Sequence, residues 1–244
     1  MGMRHVRVAL AAGVFALAAG CGAADDPGAI RYACGRFPFG QEVLTVARND
    51  ETAATPFAAA LRKHVARQDV DIDGLPDTGW TLTGQDAAGA EFVASAGPGL
   101  MTATVGRVIG PAQEPFAVDG WVVDSWGGCQ PQRVLAAGLN NAEWAIAPGQ
   151  AIDPATTRFE ALVTETACAS GQSSEGRIVG PDVVAAGDAV LVTFAVREPS
   201  DNNLTRTCQG NPATRVTVTL PEPLGSRTLL DGSTLPPRAP VAEP

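Results

Sequence analysis

Five cysteines limit what this chain can become: Cys21, Cys34, Cys129, Cys168 and Cys208. The last four lie far apart, and none belongs to a Cys-x-x-Cys pair, which excludes zinc ribbons and thioredoxin-like redox motifs. An even set at such spacings reads as disulfides in an oxidising compartment. Three pairings are open to four cysteines. Cys34–Cys129 with Cys168–Cys208 is favoured, because each bridge then falls inside one candidate domain. Cys21 is left over and needs a different explanation.

The amino-terminal residues supply one. Arg4 and Arg7 precede an apolar stretch over residues 8–20 that ends in small residues, the pattern of an export signal. The stretch is too short and too rich in Ala and Gly for a permanent membrane span. Leu17-Ala18-Ala19-Gly20-Cys21 resembles the bacterial lipobox, in which the signal is cut before a cysteine acylated on sulfur; Ala18 stands where Leu is commonest. The expectation is a lipoprotein signal peptide over 1–20, a lipidated Cys21 and a flexible tether over 21–29. The lipid, a palmitate-type acyl group, would hold the body at the outer face of the cytoplasmic membrane; otherwise the protein is secreted. Loss of Arg4 and Arg7 leaves 15 basic against 26 acidic residues, so the acidic body should touch lipid only through its tether.

The 244 residues are 45% hydrophobic, enough to build a core, and the 27 Gly and 19 Pro predict many turns and short strands. Lys63 is the only lysine among 17 basic residues, a usage that reflects genome composition, so the arginines carry little functional meaning. A net charge of −9 without a basic block argues against nucleic-acid binding.

The pattern along the chain predicts an α+β domain over 30–150, with one helix on an antiparallel sheet. An all-β, sandwich-like domain follows over 151–232, then a loose Pro-rich tail over 233–244. Residues 30–46 read as extended. Thr55 is a helix N-cap before Pro56, and Phe57, Leu61 and Val65 form one apolar stripe. Segments 80–83 and 91–94 flank a turn and read as a hairpin, followed by strands at 100–109 and 120–124. From 140 to 157 the pattern weakens, which places the junction near 150. Strands resume at 159–166, 183–184, 189–196 and 216–220, with a short edge at 228–230.

Several stretches of the second half form a set that looks familiar. Cys168-Ala169-Ser170-Gly171-Gln172, Glu175-Gly176-Arg177, Cys208-Gln209-Gly210-Asn211-Pro212, and Leu220-Pro221-Glu222-Pro223-Leu224-Gly225 with Leu229-Leu230-Asp231-Gly232 occur together. As a set they resemble an uncharacterised family of exported actinobacterial proteins, often lipoproteins. The resemblance covers about residues 158–238, with a weaker echo at 121–131. It implies kinship and brings no activity with it.

Chemistry is scarce. Once His5 leaves with the signal, His64 is the only histidine, and its place on a helix predicts a surface or flanking position rather than a general base. Residues 171–176 are one too long for a Gly-x-Ser-x-Gly elbow. No catalytic set and no cofactor motif emerges, so the sequence leans away from an enzyme. Glu165 and Arg177 form a candidate polar pocket, against the plainer reading of an ion pair. Trp121 and Trp126, five apart on a strand, should point to opposite faces and leave one exposed for a sugar or protein partner. Asp69, Asp71, Asp73 and Asp77 match the opening of an EF-hand loop, but its twelfth position is Trp80, so they are a weak metal candidate only. The leading expectation is a membrane-tethered, non-catalytic binding or scaffolding module whose partner is an envelope protein or glycan. The alternatives are a carboxylate-dependent envelope hydrolase and a calcium-stabilised adhesion domain.

Overall fold

The computed structural model describes residues 29–44, 50–67, 75–97, 99–200 and 205–241. Among these the chain is mostly β, with one α-helix and largely antiparallel sheets. A two-residue strand β1 (Tyr32–Ala33) opens it. Residues 30–44, expected to be extended throughout, otherwise form a loop and a 3-10 turn at Gln41–Leu44, because Pro38 and two glycines interrupt any ladder.

The helix α1 (Pro56–Val65) starts as expected: the Thr55 hydroxyl accepts a hydrogen bond from the Ala58 N–H at 3.1 Å. It lies on a meander of four antiparallel strands in chain order, β2 (Thr81–Asp86), β3 (Gly89–Ala96), β4 (Gly99–Arg107) and β5 (Trp121–Cys129). Ala58, Ala60 and Leu61 pack on Phe92, Ala103, Val105, Trp121 and Val123 to form the first core. Alternation sends Phe92 to the helix side of β3 and Val93 to the other side, and β3 is buried on both. The second side is covered by Tyr32, Phe39 and Leu235.

After β6 (Gln132–Arg133), which pairs with β1, the chain enters a six-stranded sheet. Its strands are β7 (Leu139–Ile146), β8 (Arg158–Glu165), β9 (Ile178–Ala186), β10 (Ala189–Arg197), β11 (Thr214–Thr219) and β12 (Thr228–Asp231). β7 belongs to two neighbourhoods. Residues 139–141 pair with β10, and residues 142–146 pair with β8. The sheet curls at this strand, so Phe159 and Val163 from β8 join Val192, Phe194 and Val196 from β10 in the second core. Trp144 sits in that core and donates its indole N–H to the Val192 carbonyl at 3.1 Å, tying the two parts together. Among the described strand pairs only β10–β12 is parallel.

Two details differ from the sequence expectation. The chain changes sheets before β7, ahead of the expected junction near 150; β7 has almost no alternation and announces itself only through Trp144 and Ile146. The Pro-rich end is docked rather than loose over 233–241. Leu235 fills the cluster with Tyr32, Phe39 and Val93, the Arg133 N–H donates to the Ser233 carbonyl at 2.8 Å, and the Val241 N–H donates to Trp144 at 3.0 Å.

Both disulfides join the cysteines in the favoured pairing, Cys34–Cys129 and Cys168–Cys208, with Cα atoms 5.9 and 4.4 Å apart. They fit an exported protein. No helix among the described residues is long and apolar enough to cross a membrane. Cys21 and the signal-like segment lie outside the described residues.

Candidate functional site

The structure brings Glu165 and Arg177 together. Glu165 is the last residue of the inward-facing row of β8, after Phe159, Ala161 and Val163. Arg177 reaches it at 2.6 Å, and Asn140 donates to its other oxygen at 2.8 Å. The same guanidinium donates to the carbonyls of Ser173 and Arg197. Both carboxylate oxygens are therefore taken, and the pair is an internal clamp at the end of the second core. The neighbouring motif residues serve the same clamp. Asn211 donates to the carbonyls of Glu165 and Ala167, and Gln209 donates to Ser170 across the Cys168–Cys208 bridge. A cavity of about 300 Å³ lies beside the bridge; in its lining Glu165 and Gln209 are held by neighbouring residues, while the Asn211 Oδ1 is buried without a partner.

The tryptophans do not point apart. The β4–β5 ladder slips by one residue, so that Thr104 faces Ser125 while Val105 faces Val123, and Asp124 is the extra residue. This bulge cancels the odd spacing and puts both indoles on the helix side. Trp121 is 6% exposed, edge-on to Phe57 at 4.5 Å, with the Arg107 guanidinium over its ring. Trp126 packs on His64 at 4.4 Å and remains 42% exposed. His64 is buried, contrary to its expected surface position, because the covered face of α1 is wider than the Phe57–Leu61–Val65 stripe. Burial, and then the charge of Arg67, lower its pKa, and its Nε2 has no hydrogen-bond partner.

Asp69, Asp71 and Asp73 lie outside the described residues. Asp77 is exposed and lines a hollow of about 230 Å³ with Glu51, Arg62 and Trp80. No group of three or more metal-ligating side chains occurs among the described residues.

A further cavity was not foreseen from the sequence. It holds about 270 Å³ between the loop at Gly35, Arg36 and Phe37 and strands β3–β5, with Gly89, Glu91, Thr104, Gly106 and Asp124 along its wall. Glu91 is only 2% exposed. One carboxyl oxygen accepts the Arg36 N–H at 3.0 Å, while the other, Oε1, is buried without a partner. Burial raises its pKa, against the pull of the Arg36 and Gly35 amides and the Arg36 charge. Asp124 is exposed through the bulge that displaced it from the strand alternation. The sequence signal was thin: an acid in an otherwise apolar strand, two residues after a glycine. No family model matches the chain, and neither a curated protein nor a solved structure matches it.

Proposed function

We propose that the protein is an exported lipoprotein, acylated at Cys21, that serves as a non-catalytic binding module at the outer face of the cytoplasmic membrane. The observation that carries the reading is the cysteine bookkeeping: Cys34–Cys129 and Cys168–Cys208 are closed, and Cys21 alone remains, within a lipobox-like sequence. In this reading the body comprises an α+β domain and a sandwich-like β domain, a division supported by the two larger cores and the two disulfides. Kinship with the exported actinobacterial lipoproteins belongs to the same proposal. In support, the motif residues around Cys168 and Cys208 act as staples: Asn211 holds the Glu165 and Ala167 carbonyls, and Gln209 holds Ser170 across the bridge.

The test is the non-reduced intact mass of protein from the membranes of its own host. The expected mass is that of residues 21–244 plus acyl groups, minus four hydrogens. An unacylated chain recovered from the medium overturns the anchor. Crosslinking in native membranes should then capture an envelope partner that a Cys21→Ser variant misses.

A hydrolase is the second reading, favoured by the shared cavity of Glu91 and Asp124, because a pair of acids in unlike environments is the minimum such chemistry needs. Release of reducing ends from isolated envelope glycan by the wild type, but not by Glu91→Gln, would establish it.

A further inference from the structure

We propose that the cavity between the Gly35–Phe37 loop and strands β3–β5 binds a single sugar ring through the carboxyl groups of Glu91 and Asp124. The proposal deepens the binding-module reading and rests on it for the assumption that the body binds something at all.

The unfilled position is at Glu91. A carboxyl oxygen buried without a hydrogen bond is costly, and native folds rarely leave one so. Here Oε1 is buried and has no protein partner although Glu91 lines an open cavity. A donor brought by a ligand would satisfy it. Asp124, carried on β5, brings a second acceptor over Gly106 of β4, on the same face of the sheet as Glu91.

Glycine keeps the cavity open. Gly89 and Gly106 face each other across the β3–β4 ladder. A Cβ on Gly106 would stand 2.6 Å from the Asp124 carboxylate, one on Gly35 would stand 2.3 Å from that of Glu91, and one on Gly89 would stand 2.1 Å from the Val105 carbonyl. Any other residue at these positions would displace an acid or close the floor. Phe37, packed against Gly84 so closely that a Cβ there would lie 2.5 Å away and carrying the Arg36 guanidinium over its ring, forms one wall. The Cys34–Cys129 bridge fastens the start of this loop to the end of β5, so the wall is held in place before any ligand arrives.

The polar groups select the ligand class. Both carboxylates repel anions. Arg36 stands in the cavity wall and keeps N–H groups beyond its ion pair with Asp86. A hydroxyl can donate to a carboxylate and accept from a guanidinium, whereas an ammonium group can only donate and leaves the remaining Arg36 N–H groups unmatched. Two acids beside an arginine are too few ligands for calcium. A volume of about 270 Å³ suits one ring rather than an oligosaccharide chain.

The test is amide chemical-shift titration of the purified, disulfide-bonded chain with glucose, galactose, N-acetylglucosamine and myo-inositol, each to about 50 mM, a range that captures millimolar affinities. Calcium and putrescine are the counter-probes. The expected result is saturable shifts at Gly35, Arg36, Gly89, Gly106 and Asp124 with at least one sugar, weakened about tenfold in Asp124→Asn by loss of a charge-assisted hydrogen bond. Glu91→Gln should weaken the same sugar; should it fail to fold, exposed Asp124 decides alone. The proposal is overturned if no sugar moves these amides, if Asp124→Asn binds as tightly as the wild type, or if only calcium or putrescine produces the shifts. If the sugars fail while crosslinking still captures an envelope partner, this site assignment falls and the binding module stands. If both fail, both readings fall.

Discussion

Glu91 and Glu165 make a controlled comparison between the two sheets. Each is a glutamate on a strand, and each is 2% exposed. In the C-terminal sheet, Glu165 meets Arg177 at 2.6 Å and Asn140 at 2.8 Å, and neither carboxylate oxygen is left over. In the N-terminal sheet, Glu91 has backbone amides at one oxygen and nothing at the other. The motifs that look most distinctive in the sequence surround the satisfied acid, while the unsatisfied one sits in an unremarkable strand. Around Glu165 the distinctive residues secure the fold, whereas Glu91 keeps an unmatched oxygen beside a cavity.

The largest effect should come from breaking the satisfied pair. Arg177→Met leaves the Glu165 charge buried against Asn140 alone, and chemical denaturation should show a loss of about 3–5 kcal/mol. A loss below about 1 kcal/mol would mean that solvent reaches Glu165 and that the contrast between the two acids is false.

Removing the disulfides compares the same two regions through the unfolded state. Replacing both cysteines of either bridge with serine should cost about 2–5 kcal/mol. The Cys34–Cys129 bridge spans 95 residues and the Cys168–Cys208 bridge 40, so loop entropy makes the first loss larger by about 0.8 kcal/mol. The reverse order in paired denaturation curves would show that the C-terminal bridge relies on native contacts as well as on loop closure.

Glu91→Gln should act in the opposite direction. Burial raises the folded pKa of Glu91 above its ordinary 4.5, so its contribution is present below that value and is lost as pH rises through the raised one. The glutamine variant should lack this loss and gain about 1 kcal/mol at neutral pH. Thermal melts across this window in wild type and variant measure it, and parallel curves would place the Glu91 carboxyl in water.

The smallest effect belongs to His64, whose folded pKa is held below its ordinary 6.5 by burial and then by Arg67. Its neutral form contributes stability above 6.5 that is lost as pH falls through the lowered value. His64→Leu should flatten that acid limb in melts followed by tryptophan fluorescence. An unchanged limb would assign the acid sensitivity elsewhere.

Local signals were legible where one residue decides the outcome. Thr55 before Pro56 caps α1, the turns at 86–89 and 186–188 close their hairpins, and the cysteine pairing follows from keeping each bridge local. The β7 strand was not legible, because Leu139-Asn140-Asn141-Ala142-Glu143 lacks alternation and is held by partners on both sides. The bulge at Asp124 was equally hidden, and with it the shared face of Trp121 and Trp126. A one-residue slip leaves no mark in composition yet reverses every side chain beyond it. The docked end escaped notice because four prolines read as a tail, whereas Leu235 finds a niche made by Tyr32, Phe39 and Val93, all distant in the chain.

By itself the sequence determined the cysteine arithmetic, the helix α1 and the predominance of strands, since these follow from residue type and short-range spacing. Only the tertiary structure decided which acid is satisfied. Glu165 and Glu91 are alike in a local window, and what separates them is whether a guanidinium held by another loop arrives at the second oxygen. That depends on how distant segments pack, and short-range spacing does not encode it.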